Sequence, residues 1–182
     1  IDNWSNQNMW CERIKYFGND NLQLEIIGNN VDESLKYSMD YSNQNNILFV
    51  HPFDDEDVII GQSSIVNEIY EDEENIDYIL TCVGGGGLVS GICSYIKSNN
   101  KNTKIICGEP DNANSLQLSL GNNKITRLTY LDTFVDGAAV RTIGNINFEI
   151  AKTNVDNCYS FHKNEICYNL VNIYQNDGII LE

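Results

Sequence analysis

Residues 78–88 have the sequence YILTCVGGGGL, in which four glycines directly follow an apolar run. The run has the length and composition of a buried strand, and residues 88–97 have the pattern of an amphipathic helix. Consecutive glycines allow backbone conformations with positive φ, so several N–H groups can face one concavity. Because the following helix adds the positive end of its dipole, this stretch predicts a phosphate site.

The spacing around the glycines leaves the identity of the phosphate ligand open. A nucleotide-hydrolysing P-loop has a lysine directly after its last glycine, whereas the next lysine here is Lys97. A dinucleotide-binding loop follows the pattern G-x-G-x-x-G, which Gly85, Gly87 and Ser90 fit except at the third position. Glu109 also stands where such a domain has its ribose-binding acid. From the residues alone, a dinucleotide-binding domain is therefore a rival interpretation.

Outward from the glycines, short apolar runs alternate with amphipathic stretches. The pattern predicts strands at 22–27, 47–50, 76–83, 104–107 and 158–161, and helices at 31–41, 54–70, 88–97, 113–120, 143–152 and 163–174. This order is typical of an α/β fold with mostly parallel twisted sheets, buried on both faces by flanking helices. Ligands of such folds bind at the carboxyl edge of the sheet, which here carries the loops 51–57, 84–87 and 108–114.

Composition excludes several classes of partner. Of the 182 residues, 42% are apolar, which supports a hydrophobic core, and the net charge of −15 argues against a surface for nucleic acid or anionic membrane. The chain contains no apolar run of about 18 residues, the length that a membrane helix needs. The six cysteines form no C-x-x-C pair, so we expect reduced thiols and a reducing compartment.

Several segments resemble, in the same order, the threonine dehydratase (threonine ammonia-lyase) family with its relatives serine racemase and serine dehydratase. Residues 52–62, PFDDEDVIIGQ, are similar to that family's P-F-D-x-x-x-V-I-A-G-Q, with His51 in place of a preceding proline. Residues 83–88, VGGGGL, match its V-G-G-G-G-L, and 135–144, VDGAAVRTIG, match its A-D-G-V-A-V-x-x-x-G. The resemblance covers nearly the whole chain.

The resemblance implies a pyridoxal 5′-phosphate enzyme with the tryptophan-synthase-like fold. Residues 1–52 would be the C-terminal part of the small domain, and 53–182 the main part of the large cofactor-binding domain. The loop containing Gly137 would lie beside the cofactor ring. Backbone N–H groups of five residues would bind the cofactor phosphate: Gly84, Gly85, Gly86, Gly87 and Leu88.

The resemblance also implies the activity of the parent protein. It would convert L-threonine, a small amino-acid substrate, to 2-oxobutanoate and ammonia in isoleucine biosynthesis, and it would be a homo-oligomer. A serine dehydratase or serine racemase type of enzyme, or a non-catalytic phosphate-binding remnant, are the alternatives.

Two features depart from the family pattern. The family's Schiff-base lysine lies in an S-x-K-x-R-G type motif far upstream of the glycines, and neither Lys15 nor Lys36 has that context. We therefore expect no catalytic residue in this chain, which would be an internal fragment. In the racemase branch a cation binds the loop that matches 109–115, but Ser115 replaces an aspartate ligand. We therefore expect no metal, with Glu109 closing that loop instead.

Overall fold

The computed structural model describes residues 4–18, 21–28, 31–99 and 101–181, with the backbone alone described for residues 4–10. The chain divides into two compact units, Ile1–Phe49 and Val50–Glu182.

The first unit contains two helices, α1 (Trp4–Phe17) and α2 (Val31–Asn45). Helix α2 confirms the prediction for 31–41, whereas α1 was not predicted. Residues 22–28 are tied to α2 by side chains: the Ser34 hydroxyl donates to the Ile27 carbonyl, and the Tyr37 hydroxyl to the Glu25 carboxylate at 3.1 Å.

The predicted strands at 22–27 and 47–50 are wrong for the described chain. Neither segment forms a β-ladder with another described segment. An apolar run becomes a strand only when a neighbouring strand accepts its hydrogen bonds. The sequence pattern reports the apolar run, not the presence of that neighbour.

The described part of the second unit contains a three-stranded parallel sheet in the order β1 (Tyr78–Cys82), β2 (Lys104–Pro110), β3 (Asn157–Phe161). This confirms the predicted α/β class with a parallel sheet. Cys82 lies opposite Gly108, and Cys107 lies opposite Cys158. All six cysteines are free thiols.

Six helices and one 3₁₀ turn surround these strands in the described part of this unit: α3 (Glu56–Gln62), α4 (Ser64–Asp72), α5 (Gly87–Ser98), α6 (Ser115–Gly121), the turn Asp136–Ala138, α7 (Asn145–Asn154) and α8 (Lys163–Asp177). The helix predicted for 54–70 is interrupted at Ser63. The break lies against Gly91 of α5, where an added Cβ would be 2.8 Å from both Ile59 O and Ser63 N. Helix α5 therefore comes closest to this segment at the point where the predicted helix is interrupted.

The hydrophobic core lies on one face of the sheet, where α4, α5, α6 and α7 cover the strands. Its fully buried side chains include Val66, Val89, Ile105, Leu116 and Phe148. The opposite face is more open, contrary to the expected burial on both faces: Leu80 is 76% exposed and lines a groove of 350 Å³.

Candidate anion site at the glycine loop

The glycine loop lies at the carboxyl edge of the sheet, as predicted. It leaves β1 after Val83, whose N–H donates to the Gly108 carbonyl at 3.1 Å and so extends the ladder by one residue. Helix α5 begins at Gly87, and Gly86 precedes it with a left-handed backbone, φ 97° and ψ 0°. Gly85, Gly86 and Gly87 are buried. The loop is therefore a fixed turn packed inside the unit.

A side chain would clash at Gly85 and would be tight at Gly84 and Gly87. A Cβ added to Gly85 would lie within 2.5 Å of three ring atoms of Phe53, and one added to Gly87 would lie 3.3 Å from Phe53 Cα. On the other side, a Cβ on Gly84 would lie 3.2 Å from Ala138 Cα and 3.3 Å from the Gly137 carbonyl oxygen. Phe53 and the 3₁₀ turn thus pack closely against the two sides of the loop.

The loop also supplies hydrogen-bond donors. Among the hydrogen bonds within the described residues, none is donated by the backbone N–H groups of 84–88. Unpaired N–H groups at the start of a helix, with the positive end of its dipole, are a suitable environment for an anion. The N–H groups of the five residues predicted from the sequence are thus unpaired, and their binding of a phosphate stays a prediction.

The segment before α3 is joined to the start of α7. The Asp54 carboxylate accepts hydrogen bonds from the N–H groups of Asn145 at 2.8 Å, Ile146 at 2.9 Å and Asn147 at 3.4 Å. At Gly144 an added Cβ would lie within 2.7 Å of the Asp54 carboxylate, so the two segments are in close contact. Asp54 therefore caps α7 and stabilises it electrostatically.

His51 stabilises the segment that contains Phe53 and Asp54. Its Nδ1 accepts hydrogen bonds from the N–H groups of Asp54 at 2.9 Å and Phe53 at 3.3 Å, and its ring meets the Phe53 ring edge-on at 4.6 Å. Burial lowers the pKa of His51, and the nearby Asp54 and Asp55 carboxylates oppose that effect. A neutral imidazole is the form that can accept both bonds.

Glu109 closes the loop after β2, as the sequence predicted. Its buried carboxylate accepts hydrogen bonds from the N–H groups of Leu116 at 3.0 Å and Gln117 at 2.8 Å, at the start of α6, and lies 3.5 Å from the Cys158 thiol. Burial raises the pKa of Glu109, while these hydrogen bonds act in the opposite direction. Within the described ranges, no group of three or more His, Cys, Asp or Glu side chains could hold a metal ion.

Sequence reasoning did not assign a role to Phe53, Asp54, Gly144 or Asn147. Asn147 is buried in α7, and its Nδ2 donates to the Phe53 carbonyl at 2.7 Å and to the Gly85 carbonyl at 3.0 Å. Phe53 and Asp54 stand in the P-F-D motif, which was a usable signal. Asn147 lies in no quoted motif, so its contact with the loop could come only from the structure.

A parallel sheet with a glycine turn at its carboxyl edge, whose backbone N–H groups are unpaired, is typical of proteins that bind a phosphorylated ligand. Residues 11–182 match the family described as pyridoxal-phosphate dependent enzyme. The chain belongs to that family, which decides against the dinucleotide-binding alternative.

Individual relatives agree with this family. The chain is 37% identical over 172 residues to the biosynthetic L-threonine dehydratase IlvA of Halalkalibacterium halodurans, covering 94% of this chain and 41% of that protein. The processed form of threonine deaminase isoform 2 from Solanum lycopersicum superimposes with a TM-score of 0.86 at 31% identity, covering 96% of this chain and 50% of that one. Serine racemase from Dictyostelium discoideum gives a TM-score of 0.70 at 35% identity, covering 81% and 47%.

The chain thus spans about half the length of the relatives it matches, or less. None of the helices in the described ranges is long and apolar enough to cross a membrane.

Proposed function

We propose that this chain supplies the phosphate-binding part of a threonine ammonia-lyase that converts L-threonine to 2-oxobutanoate and ammonia. The observation that carries the proposal is the set of unpaired backbone N–H groups in the buried turn 84–88. Similarity to two threonine-specific proteins, IlvA and the tomato threonine deaminase, supports threonine as the substrate.

The glycine loop fits the phosphate of pyridoxal 5′-phosphate. The groups that would hold it are the backbone N–H groups of Gly84, Gly85, Gly86, Gly87 and Leu88. A Cβ at Gly85 or Gly86 would meet Phe53 or Ile143 within 2.5 Å, so the turn exists only without side chains. When bound, the cofactor withdraws electrons from the α-carbon of an amino acid, which lets the α-proton and the β-hydroxyl leave. The chain's contribution is to bind and orient that group.

The domain assignment is part of the same proposal. Residues 1–52 would belong to the small domain and 53–182 to the large domain. The division of the structure into Ile1–Phe49 and Val50–Glu182 lies close to that boundary. Homo-oligomerisation of the full-length protein stays a prediction from the resemblance.

A serine-directed enzyme is the second candidate. The observation that favours it is the 35% identity to serine racemase from Dictyostelium discoideum, which is higher than the 31% identity to the tomato threonine deaminase. The geometry of the glycine loop serves both activities equally, because a phosphate cradle does not contact the amino-acid side chain.

The experiment has two arms. The 182-residue chain is titrated with pyridoxal 5′-phosphate and, as a control, with pyridoxal, which lacks the phosphate. We expect binding of the first only, measured by calorimetry. The full-length protein that contains this chain is then supplied with L-threonine or L-serine, and keto acid is measured. Equal binding of pyridoxal would contradict the phosphate site. Pyruvate from serine without 2-oxobutanoate from threonine would favour the second candidate, and cofactor binding without turnover would favour a non-catalytic remnant.

A further inference from the structure

Asn147 is a buried amide at the third residue of α7. Its exposed fraction is 0%, and its Nδ2 donates to the carbonyls of Phe53 at 2.7 Å and Gly85 at 3.0 Å. Its Oδ1 is buried without a hydrogen-bond partner. The reverse orientation of the amide would place Oδ1 against two carbonyl oxygens, so the two acceptors fix the orientation seen. Since an unpaired buried acceptor costs free energy, the bonds of Nδ2 must offset that cost.

The Gly85 carbonyl is held by two donors from the start of α7. The Gly144 N–H donates to it at 3.1 Å, and Asn147 Nδ2 donates at 3.0 Å. The peptide bond between Gly85 and Gly86 is trans, as are all those in the described ranges. In a planar trans peptide the C=O and the following N–H point in opposite directions. Fixing the Gly85 oxygen toward α7 therefore fixes the Gly86 N–H away from α7.

Neither glycine can maintain this orientation by itself. A glycine peptide rotates more freely than any other, and Gly86 has a left-handed backbone with φ 97°. Loss of the bond from Asn147 would leave the Gly85 carbonyl with the Gly144 N–H alone. Phe53, whose ring packs against Gly85 and whose backbone packs against Gly87, would lose the bond from the same side chain to its carbonyl.

We infer that Asn147 is the positioning residue of the phosphate cradle. Its Nδ2 holds the Gly85–Gly86 peptide so that the Gly86 N–H faces the phosphate, and it holds Phe53 against the glycines. This role rests on the proposed function, because it presupposes that the turn 84–88 binds a phosphate. Asn147 itself touches neither phosphate nor substrate.

The test uses the ¹⁵N-labelled 182-residue chain and inorganic phosphate as the probe. In the wild type, we expect saturable downfield movement of the Gly86 amide proton, the signature of a new hydrogen bond to an anion. Asn147→Leu keeps the branched shape of the side chain but removes both donors. It should weaken phosphate binding about tenfold, the equivalent of ~1.4 kcal/mol, and abolish the Gly86 shift.

Two further variants separate positioning from stability. Phe148→Leu alters the core one residue further along α7, without a bond to the loop, and should leave the phosphate Kd within about twofold. Asn147→Ser keeps a single hydroxyl donor and should restore part of the affinity. If Asn147→Leu fails to fold, the Gly86 shift in the wild type and the phosphate affinity of Asn147→Ser still test whether Asn147 positions the loop.

The outcomes distinguish the two claims. If phosphate moves none of the amide resonances of 84–88 in the wild type, the proposed function fails, and the role of Asn147 fails with it. If phosphate moves the Gly87 and Leu88 resonances but not that of Gly86, only the role of Asn147 is overturned. Wild-type phosphate affinity of Asn147→Leu or Asn147→Ser would also overturn only the role of Asn147, and the proposed phosphate site would be unaffected.

Discussion

Substitution of Gly85 by alanine tests the contact on which the shape of the loop depends. The new Cβ would lie within 2.5 Å of Cγ, Cδ1 and Cδ2 of Phe53, whereas carbon atoms pack at about 3.5 to 4.0 Å. The ring would therefore have to retreat by about 1 Å or more. The Phe53 ring cannot move freely, because it packs on the His51 ring and because the Phe53 carbonyl accepts a hydrogen bond from Asn147.

The expected cost follows from overpacking. Insertion of a methyl group into a packed site costs about 1 to 3 kcal/mol. The gain from a less flexible unfolded chain, about 0.4 to 1 kcal/mol, offsets only part of it. We expect Gly85→Ala to lower the free energy of unfolding by about 1 to 2 kcal/mol, and to weaken phosphate binding because Phe53 and the loop share one contact.

Urea unfolding measures this effect, with Gly61→Ala as the matched control. An added Cβ at Gly61, within α3, meets nothing within 4 Å. That substitution should raise stability by about 0.5 to 1 kcal/mol, because alanine is the better helix former. Phe53→Ala removes the three clashing atoms, so the double variant Phe53→Ala/Gly85→Ala should show a favourable coupling of at least about 1 kcal/mol.

The reasoning would be refuted by either of two results. Gly85→Ala could change the free energy of unfolding as Gly61→Ala does, which would mean that the Phe53 ring moves aside without loss of stability. Alternatively, the cost of Gly85→Ala could be unchanged in the Phe53→Ala background, which would place the strain elsewhere.

Three further predictions concern the cap, the left-handed turn and the buried acid. Asp54→Ala removes the cap of α7, and Asp55→Ala removes the cap of α3. Each substitution should lower the free energy of unfolding by about 1 kcal/mol. Calorimetry should show weaker phosphate binding for Asp54→Ala alone. Gly86→Ala and Gly178→Ala both place a Cβ at positive φ, so both should be destabilised, but only Gly86→Ala should lose phosphate binding. Burial raises the pKa of Glu109 above its ordinary value of about 4.3, so its contribution to stability is complete below that pH and is lost as pH rises through the raised pKa. Urea unfolding across this window should show that Glu109→Gln removes the decline; an unchanged pH dependence would contradict the assignment.

The elements around the glycines could be predicted because their signals are local. The apolar run before Gly84 and the amphipathic pattern after Leu88 each depend on adjacent residues, and the structure has β1 and α5 there. The parallel order of the strands followed from the intervening helices, since parallel strands need a crossover connection. The same local pattern predicted a phosphate site at the glycines, whereas the set of five candidate residues came from the family resemblance, and their binding of phosphate stays a prediction.

The residues that support the glycine loop could not be predicted, because their contacts join segments that are distant in sequence. Asn147 and Gly85 are 62 residues apart, and the capping carboxylate of Asp54 is 91 residues from Asn145. No periodicity reports such a pairing. A buried asparagine on an amphipathic helix has the same pattern as an exposed one until its neighbours are known.

The joining of Asp54 to the start of α7 has a consequence for the order of folding. Contacts between residues so far apart in sequence close a long loop, which costs entropy and slows their formation. The local pieces, β1 with α5 and each helix by itself, can form before the cap does. The glycine loop would then receive its supporting groups only in the last stage of folding. A ribosome-bound chain that ends before α7 would carry every glycine of the site and still lack affinity for the cofactor.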